Sequence, residues 1–330
     1  MGHSSALLDL DAGSPLAGNP DCDCAVFGKI TAGGPDEFAV VARNALAALA
    51  RLRASAIPII VDICDFQLGP GDPRSDVVKQ VIAGASAITC NSTEMAAMLR
   101  SALPNAPHPV VIHDPLELAR NEPKAPPASA AVTAGGGAMR RWFGRTHSAT
   151  LEPLWFGHFM NLQYLLRVAP VLGDLAHDIR CRLTVCSSDH PAVASGVEQL
   201  RRDAGPNLPV RFVPWSLDTI GATISGSDIV IIPTDRNDPA KRGAGSNRLV
   251  QALWCGRFVV ANPLSSYREL ADYAWLGDDL VSGIRWALDH PQKARGRVAA
   301  GQSAVESDYA AETIARQWIV EITRNARARP

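Results

Sequence analysis

Apolar and polar positions along this chain group into blocks. Short β-branched runs recur, and each is followed by a stretch with hydrophobic residues at helical spacing. Runs at 25–30, 57–63, 87–90 and 109–113 read as strands. Helical spacing predicts helices over 36–55, 76–84 and 93–99 between them. A second series predicts strands at 154–156, 182–186, 209–213, 229–233 and 257–261. Its helices fall over 161–175, 192–202 and 217–225, with a further one starting at Ser246 or Asn247. Short helices follow Ala261, and then come helices over 279–288, 292–307 and 311–325. Apolar strands alternating with helices mean an α/β fold with parallel sheets covered on both faces.

The stretch 228–262 organises this pattern. Ile229 to Pro233 is continuously apolar, and Thr234 to Gly245 is mostly small or polar, with Lys241 and Arg242 as its cations. Leu249, Val250, Leu253 and Trp254 then share one helix face, and Gly256 stands where a left-handed residue ends a helix. The stretch is one βαβ unit with a long first loop. In doubly wound sheets such loops, at the carboxyl ends of strands, hold ligands. Small residues, cations and a helix start favour an anion, above all a phosphate.

Length and composition bound the rest. The 330 residues suggest two domains, and the 116–137 stretch, rich in Pro and Gly, marks a boundary or a crossover beside it. Apolar residues make up 47% and charged residues 20% of the chain, an ordinary globular balance. A net charge of −1 gives no general attraction for nucleic acid or anionic lipid. There is no run long enough for a membrane span, and the first residues lack the basic and apolar pattern of a signal peptide. The seven cysteines are scattered without a metal-ligand spacing and read as free thiols of a cytoplasmic protein. No Asp-x-Asp pair ends a strand in the second half, so no metal site is expected.

The order of several segments resembles the GT-B glycosyltransferases, family four in particular. LWFGH at 154–158 is similar to the first strand and glycine turn of their donor domain, and VRFVPWS at 210–216 to their base-binding segment. SDIVIIP at 227–233 and SNRLVQALWCGRFVVA at 246–261 are similar to the strand, helix and strand around their phosphate loop. DICDF at 62–66 and AITCNSTEMAAML at 87–99 look like the end of an acceptor domain. The resemblance implies two doubly wound Rossmann-like domains facing across a cleft, the N-terminal one shortened. The expected division is a loose arm over 1–24, an acceptor-side domain and linker over 25–137, a donor domain over 138–310, and a returning helix over 311–330.

The function implied is transfer of a sugar from a nucleotide-diphosphate donor to a glycan, lipid-linked or protein acceptor, as in polysaccharide biosynthesis. The nucleotide-sugar is a co-substrate, no further cofactor is needed, and membrane contact is peripheral at most. Backbone amides of Gly245, Ser246 and Asn247, with Lys241 or Arg242, are the candidates for stabilising the leaving diphosphate. Arg248 points either to phosphate or to solvent. Gly157 and His158 offer amides from another strand end, unless His158 caps a helix. Trp215 covers a nucleobase or simply packs.

Two departures from the resembled pattern stand out. Family members carry two glutamates eight positions apart around the phosphate loop, where this chain has Gly243 and Gln251. Gln251 retains a carbonyl oxygen for ribose hydroxyls. Gly243 offers no side chain to the transferred sugar, which leaves Asp235, Asp238 or Lys241 as substitutes. Only 24 residues precede the first strand, so the acceptor half looks short. The candidates there for accepting a proton are Asp62, Asp65 and His113, the aspartates equally able to serve as caps. Asn91-Ser92-Thr93 fits a glycosylation pattern and, more simply, a helix cap. Two alternatives remain open: a non-catalytic nucleotide- or glycan-binding module derived from a transferase, and another sugar-nucleotide enzyme such as an epimerase.

Overall fold

The computed structural model describes residues 22–30, 35–69, 71–72, 74–133, 149–238, 241 and 243–327. The chain divides into two compact units. The first comprises Met1–Asp114, Arg242–Gly245 and Glu312–Pro330, and the second Pro115–Lys241 and Ser246–Ala311.

In the first unit, β1 (Ala25–Phe27), α1 (Pro35–Ala54), β2 (Ile59–Ile63), α2 (Ser75–Ala83), β3 (Ala87–Cys90), α3 (Thr93–Ala102) and β4 (Val110–Val111) alternate. The strands form a four-stranded parallel sheet in the order β1-β2-β3-β4. Asp36 and Glu37 in the first turn of α1, with Arg51 and Arg53 in its last, complement the helix dipole. Ser92 caps α3, its hydroxyl accepting from the Met95 amide at 3.1 Å. The last strand is only two residues long, shorter than its apolar run of five suggests.

The second unit begins with a short helix, α4 (Ser129–Val132), and continues with β5 (Pro153–Phe156), α5 (Leu162–Asp178), β6 (Leu183–Ser187), α6 (Pro191–Ala204), β7 (Val210–Pro214) and α7 (Leu217–Gly226). Then come β8 (Ile229–Ile232), α8 (Asn247–Trp254), β9 (Phe258–Ala261), β10 (Trp275–Leu276), α9 (Leu280–Asp289) and α10 (Pro291–Tyr309), while α11 (Ala311–Arg327) belongs from Glu312 onward to the first unit. Its parallel sheet has the order β10-β9-β8-β5-β6-β7. The order turns back between β5 and β8, the kind of switch point at which open α/β sheets bind ligands. Every residue of β5, β8 and β9 is buried, which is why these segments lack alternation. At the edge, β7 is only partly buried. The two-residue β10 lies where only short helices were expected.

Residues 115–124 are ordered against α8. The Leu116 amide donates to the Tyr309 carbonyl at 2.8 Å, Trp254 Nε1 to the Leu118 carbonyl at 2.8 Å, and the Lys124 amide to the Gly256 carbonyl at 3.0 Å. Gly256 has φ 75° and closes α8 as expected, with the Arg257 amide on the Ala252 carbonyl and its own on Leu253. Residues 1–21 of the arm expected over 1–24, and the Gly135–Gly137 run, lie outside the described residues.

Candidate functional site

At the carboxyl ends of the second unit's strands, the helix start expected to bind an anion is present but not capped as expected. Ser246 precedes α8 without a side-chain capping bond, and its hydroxyl lies 3.2 Å from the buried Tyr309 hydroxyl instead. The first turn of α8 therefore has no side-chain oxygen competing for its amides, which favours an anion from outside. On its second turn Gln251 is 5% exposed. Its Nε2 donates to the Pro115 carbonyl at 3.1 Å, which fixes the amide orientation and leaves Oε1 buried without a partner among the described residues. The Asn247 Oδ1, Thr234 Oγ1, Ser188 Oγ and Trp155 Nε1 atoms of the same unit are also buried and find no partner among the described residues.

Arg248 does not point to solvent. Its Nη1 lies 3.5 Å from the Phe156 carbonyl, and its charge opposes the burial that holds the fully buried Tyr267 hydroxyl above the usual tyrosine range. A Cβ on Gly157 would come within 3.3 Å of the same Nη1, so the glycine gives the guanidinium room. The Gly157 amide is spent inside the sheet, donating to the Cys186 carbonyl at 3.1 Å, and so is not the phosphate donor expected. His158 caps the 3-10 turn Phe159–Asn161, accepting from the Met160 amide. Trp215 follows β7 and is 45% exposed, available for stacking, while Ser216 caps α7.

The loop leaving β8 is tied to α5. Asp235 accepts from Arg167 at 2.8 Å, and Asp238 accepts from the Tyr164 hydroxyl. Lys241 Nζ donates to Asn161 Oδ1 at 2.5 Å and sits 5.5 Å from the Tyr164 ring centre. Burial and the Asp238 bond push the Tyr164 hydroxyl well above its ordinary range, so it remains a donor. All three residues considered as substitutes for a glutamate at 243 thus have partners on or beside one helix. Arg242 lies outside the described residues.

Gly243 and Gly245 group with the first unit. Gly243 has φ 74°, and a Cβ there would meet Met95 Cε at 3.0 Å and Met98 Sδ at 3.1 Å. Its carbonyl accepts from Ser92 Oγ at 3.0 Å. A larger residue would strain the backbone and push the two methionine side chains aside. A Cβ on Gly245 would come within 2.8 Å of Asn91 Nδ2 and 3.4 Å of Asp114 Oδ2.

Asn91 is the centre of a polar cluster at the ends of β2, β3 and β4. Its Nδ2 donates to Asp114 Oδ2 at 3.2 Å, and its carbonyl lies 3.1 Å from His113 Nδ1. Asp62 accepts from Thr89 Oγ1 at 2.7 Å. Burial holds the Asp62 carboxyl above the usual carboxylate range, the Thr89 bond opposing and the Asp114 charge adding. Burial raises Asp114 too, against its bond from Asn91. Asp65 differs, being nearly half exposed and paired with Lys29. The structure therefore brings together Asp62, His113 and Asp114 and leaves Asp65 at the surface. The sequence singles out Asn91 only as part of a cap and Asp114 not at all; only the fold brings them to Asp62.

All seven cysteines are free. Among the described residues no group of His, Cys, Asp and Glu could hold a metal ion, and no helix is long and apolar enough to cross a membrane.

No protein-family model matches the sequence, and a search of curated proteins finds no relative. Solved structures do match. An S. aureus TarM variant in complex with fondaparinux, α-GlcNAc-glycerol and UDP superposes with a TM-score of 0.58 at 11% identity, over 80% of this chain and 50% of that one. Anabaena HepE in complex with UDP and glucose gives 0.61 at 15% identity, over 86% and 76%. A UDP-forming trehalose-phosphate synthase from Burkholderia xenovorans gives 0.54 at 11% identity, over 87% and 72%. This chain thus spans half the length of TarM. At such identities the likeness shows the fold, and the fold is GT-B.

Proposed function

We propose that the protein transfers a glycosyl group from a nucleoside-diphosphate sugar. The observation that carries this reading is the uncapped start of α8, with the buried, unsatisfied Gln251 Oε1 one turn further on. The helix start suits a diphosphate, and the carbonyl oxygen suits a hydroxyl donor such as a ribose. That the solved neighbours TarM and HepE hold UDP supports the same class of ligand.

In this reading the amides of Ser246 and Asn247, with Lys241, take up the charge that develops on the leaving diphosphate. Arg248 supports the end of β5 and adds positive potential. Trp215 covers the base. In the first unit, Asp62 and Asp114 are the groups able to accept the acceptor's hydroxyl proton, since raised carboxyl pKa values bring them toward the working pH. The acceptor is a hydroxyl-bearing glycan, lipid-linked sugar or glycosylated protein.

Titration calorimetry with UDP, GDP and ADP, followed by an assay for nucleoside diphosphate released from the matching sugars, tests the proposal. Binding of one nucleotide, with release that depends on an added oligosaccharide acceptor, is the expected result. No binding of any of them would sink it. Gly243 supports a second reading, a non-catalytic nucleotide- or glycan-binding module, because no side chain stands there to reach a transferred sugar. Binding without release under any acceptor would favour that module.

A further inference from the structure

Thr234 is 8% exposed, and its hydroxyl has no hydrogen-bond partner among the described residues. The residue is firmly placed. Its amide donates to Asn262 Oδ1 at 2.9 Å, while Asn262 donates from its own amide to the Ile232 carbonyl at 3.2 Å and from Nδ2 to the Gly277 carbonyl at 3.1 Å. One asparagine thus staples the carboxyl ends of β8, β9 and β10, and Thr234 with them. The charged side chains directly after it are paired elsewhere: Asp235 to Arg167, Arg236 to Asp278 at 3.5 Å and Asp238 to Tyr164. A buried hydroxyl left without a partner is costly, and a ligand group is one way to complete it.

The polarity of a second orphaned atom in the same unit indicates what that ligand brings. Gln251 Oε1 is an acceptor, because its Nε2 is held by Pro115. An ionised diphosphate carries no donor for it, whereas hydroxyls do. Gln251 and Thr234 stand on different elements, a helix and a strand end. A nucleotide-sugar has hydroxyls on both sides of its diphosphate, on the ribose and on the sugar.

Resting on the donor-site reading above, we infer that Thr234 binds a hydroxyl of the donor's sugar, which makes it a specificity-determining residue. Gln251 reads the nucleotide side. The test is calorimetry on the full chain with a nucleoside diphosphate and its sugar conjugate (UDP and UDP-glucose first), for the wild type, Thr234→Val and Thr234→Ser. Loss of one neutral hydrogen bond predicts about three- to tenfold weaker binding of UDP-glucose by Thr234→Val. Affinity for UDP stays within about twofold, and Thr234→Ser binds both nearly as the wild type does. The unliganded Thr234→Val protein melts no lower than the wild type, since an unsatisfied hydroxyl has been removed.

Equal losses for UDP and UDP-glucose, or no loss for either, would overturn the inference while leaving nucleotide binding intact. A lower melting temperature with an unchanged affinity ratio would show a hydroxyl satisfied within the protein, and would overturn it too. Failure of the wild type to bind any nucleoside diphosphate would remove both this inference and the donor-site reading.

Discussion

Replacing Gln251 by glutamate puts the geometry of α8 to a quantitative test. The resembled family carries glutamate at this position, so the change is conservative by pattern. The structure makes it costly. Nε2 of Gln251 donates to the Pro115 carbonyl at 3.1 Å, and the side chain is 5% exposed. An ionised glutamate has no donor for that carbonyl and would press a buried negative charge against it. Losing the bond and leaving its acceptor unsatisfied costs about 1–3 kcal/mol. Burial of the charge adds to this until the carboxyl protonates, at about 1.36 kcal/mol for each unit its pKa rises. The expected destabilisation near pH 7.5 is thus about 2–4 kcal/mol, or roughly 5–12 °C in melting temperature for a unit of this size.

The sign of the pH dependence follows. A protonated glutamate can donate to Pro115, so its folded pKa lies above the unfolded value near 4.3. The deficit is absent below that value, grows as pH rises toward the folded pKa, and is constant beyond it. Thermal unfolding of both proteins from pH 4 to pH 8 measures it. A variant as stable as the wild type at pH 7.5, with a parallel pH profile, would refute the assigned orientation of Gln251.

Further outcomes are expected elsewhere. Lys241→Ala removes a charge-assisted contact to the diphosphate and weakens nucleoside diphosphate binding about tenfold or more by calorimetry; unchanged affinity would remove Lys241 from the site. Gly256→Ala places a Cβ 2.7 Å from the Glu122 carbonyl carbon and 2.9 Å from the Asn121 oxygen at φ 75°. It lowers stability in urea by about 3 kcal/mol or more, and a loss below about 1 kcal/mol would show residues 115–124 to be loosely held. Asp62 has a folded pKa above its unfolded value near 3.9. Its favourable contribution is complete below that pH and is lost as pH rises through the folded value. Asp62→Asn is therefore at least as stable as the wild type at pH 7 in thermal melts. If Asp62 is the proton acceptor, the rising limb of kcat/KM follows its raised pKa, and Asp114→Asn shifts that limb to lower pH by removing a like charge. A limb unmoved in Asp114→Asn separates the two carboxyls.

Much of the architecture was legible in the chain. Continuous apolar runs gave β5, β8 and β9, because a strand buried on both faces leaves no polar position to alternate with. Gly256 marked the end of α8 because few other residues adopt its backbone angles without strain. The helix start beyond the long loop was likewise visible, though its cap was not: Ser246 turned to Tyr309, 63 positions away. The weaker elements β4 and β10, two residues each, are defined by their neighbours' hydrogen bonds and leave little trace in periodicity.

The partners of the polar groups belong to the tertiary structure. Asp238 found Tyr164 across 74 positions, Lys241 found Asn161 across 80, and Gln251 found Pro115 across 136. Asp62 and Asp114 share one environment only because β2, β3 and β4 lie side by side. Hydrophobic spacing records how each segment is buried, since burial is repeated at every turn or pleat and so survives in local sequence. A hydrogen bond is made once, between two atoms, by whatever packing brings them within about 3 Å. That is why the chain alone determined its strands and helices, while the fold decided which of its polar side chains were left for a ligand.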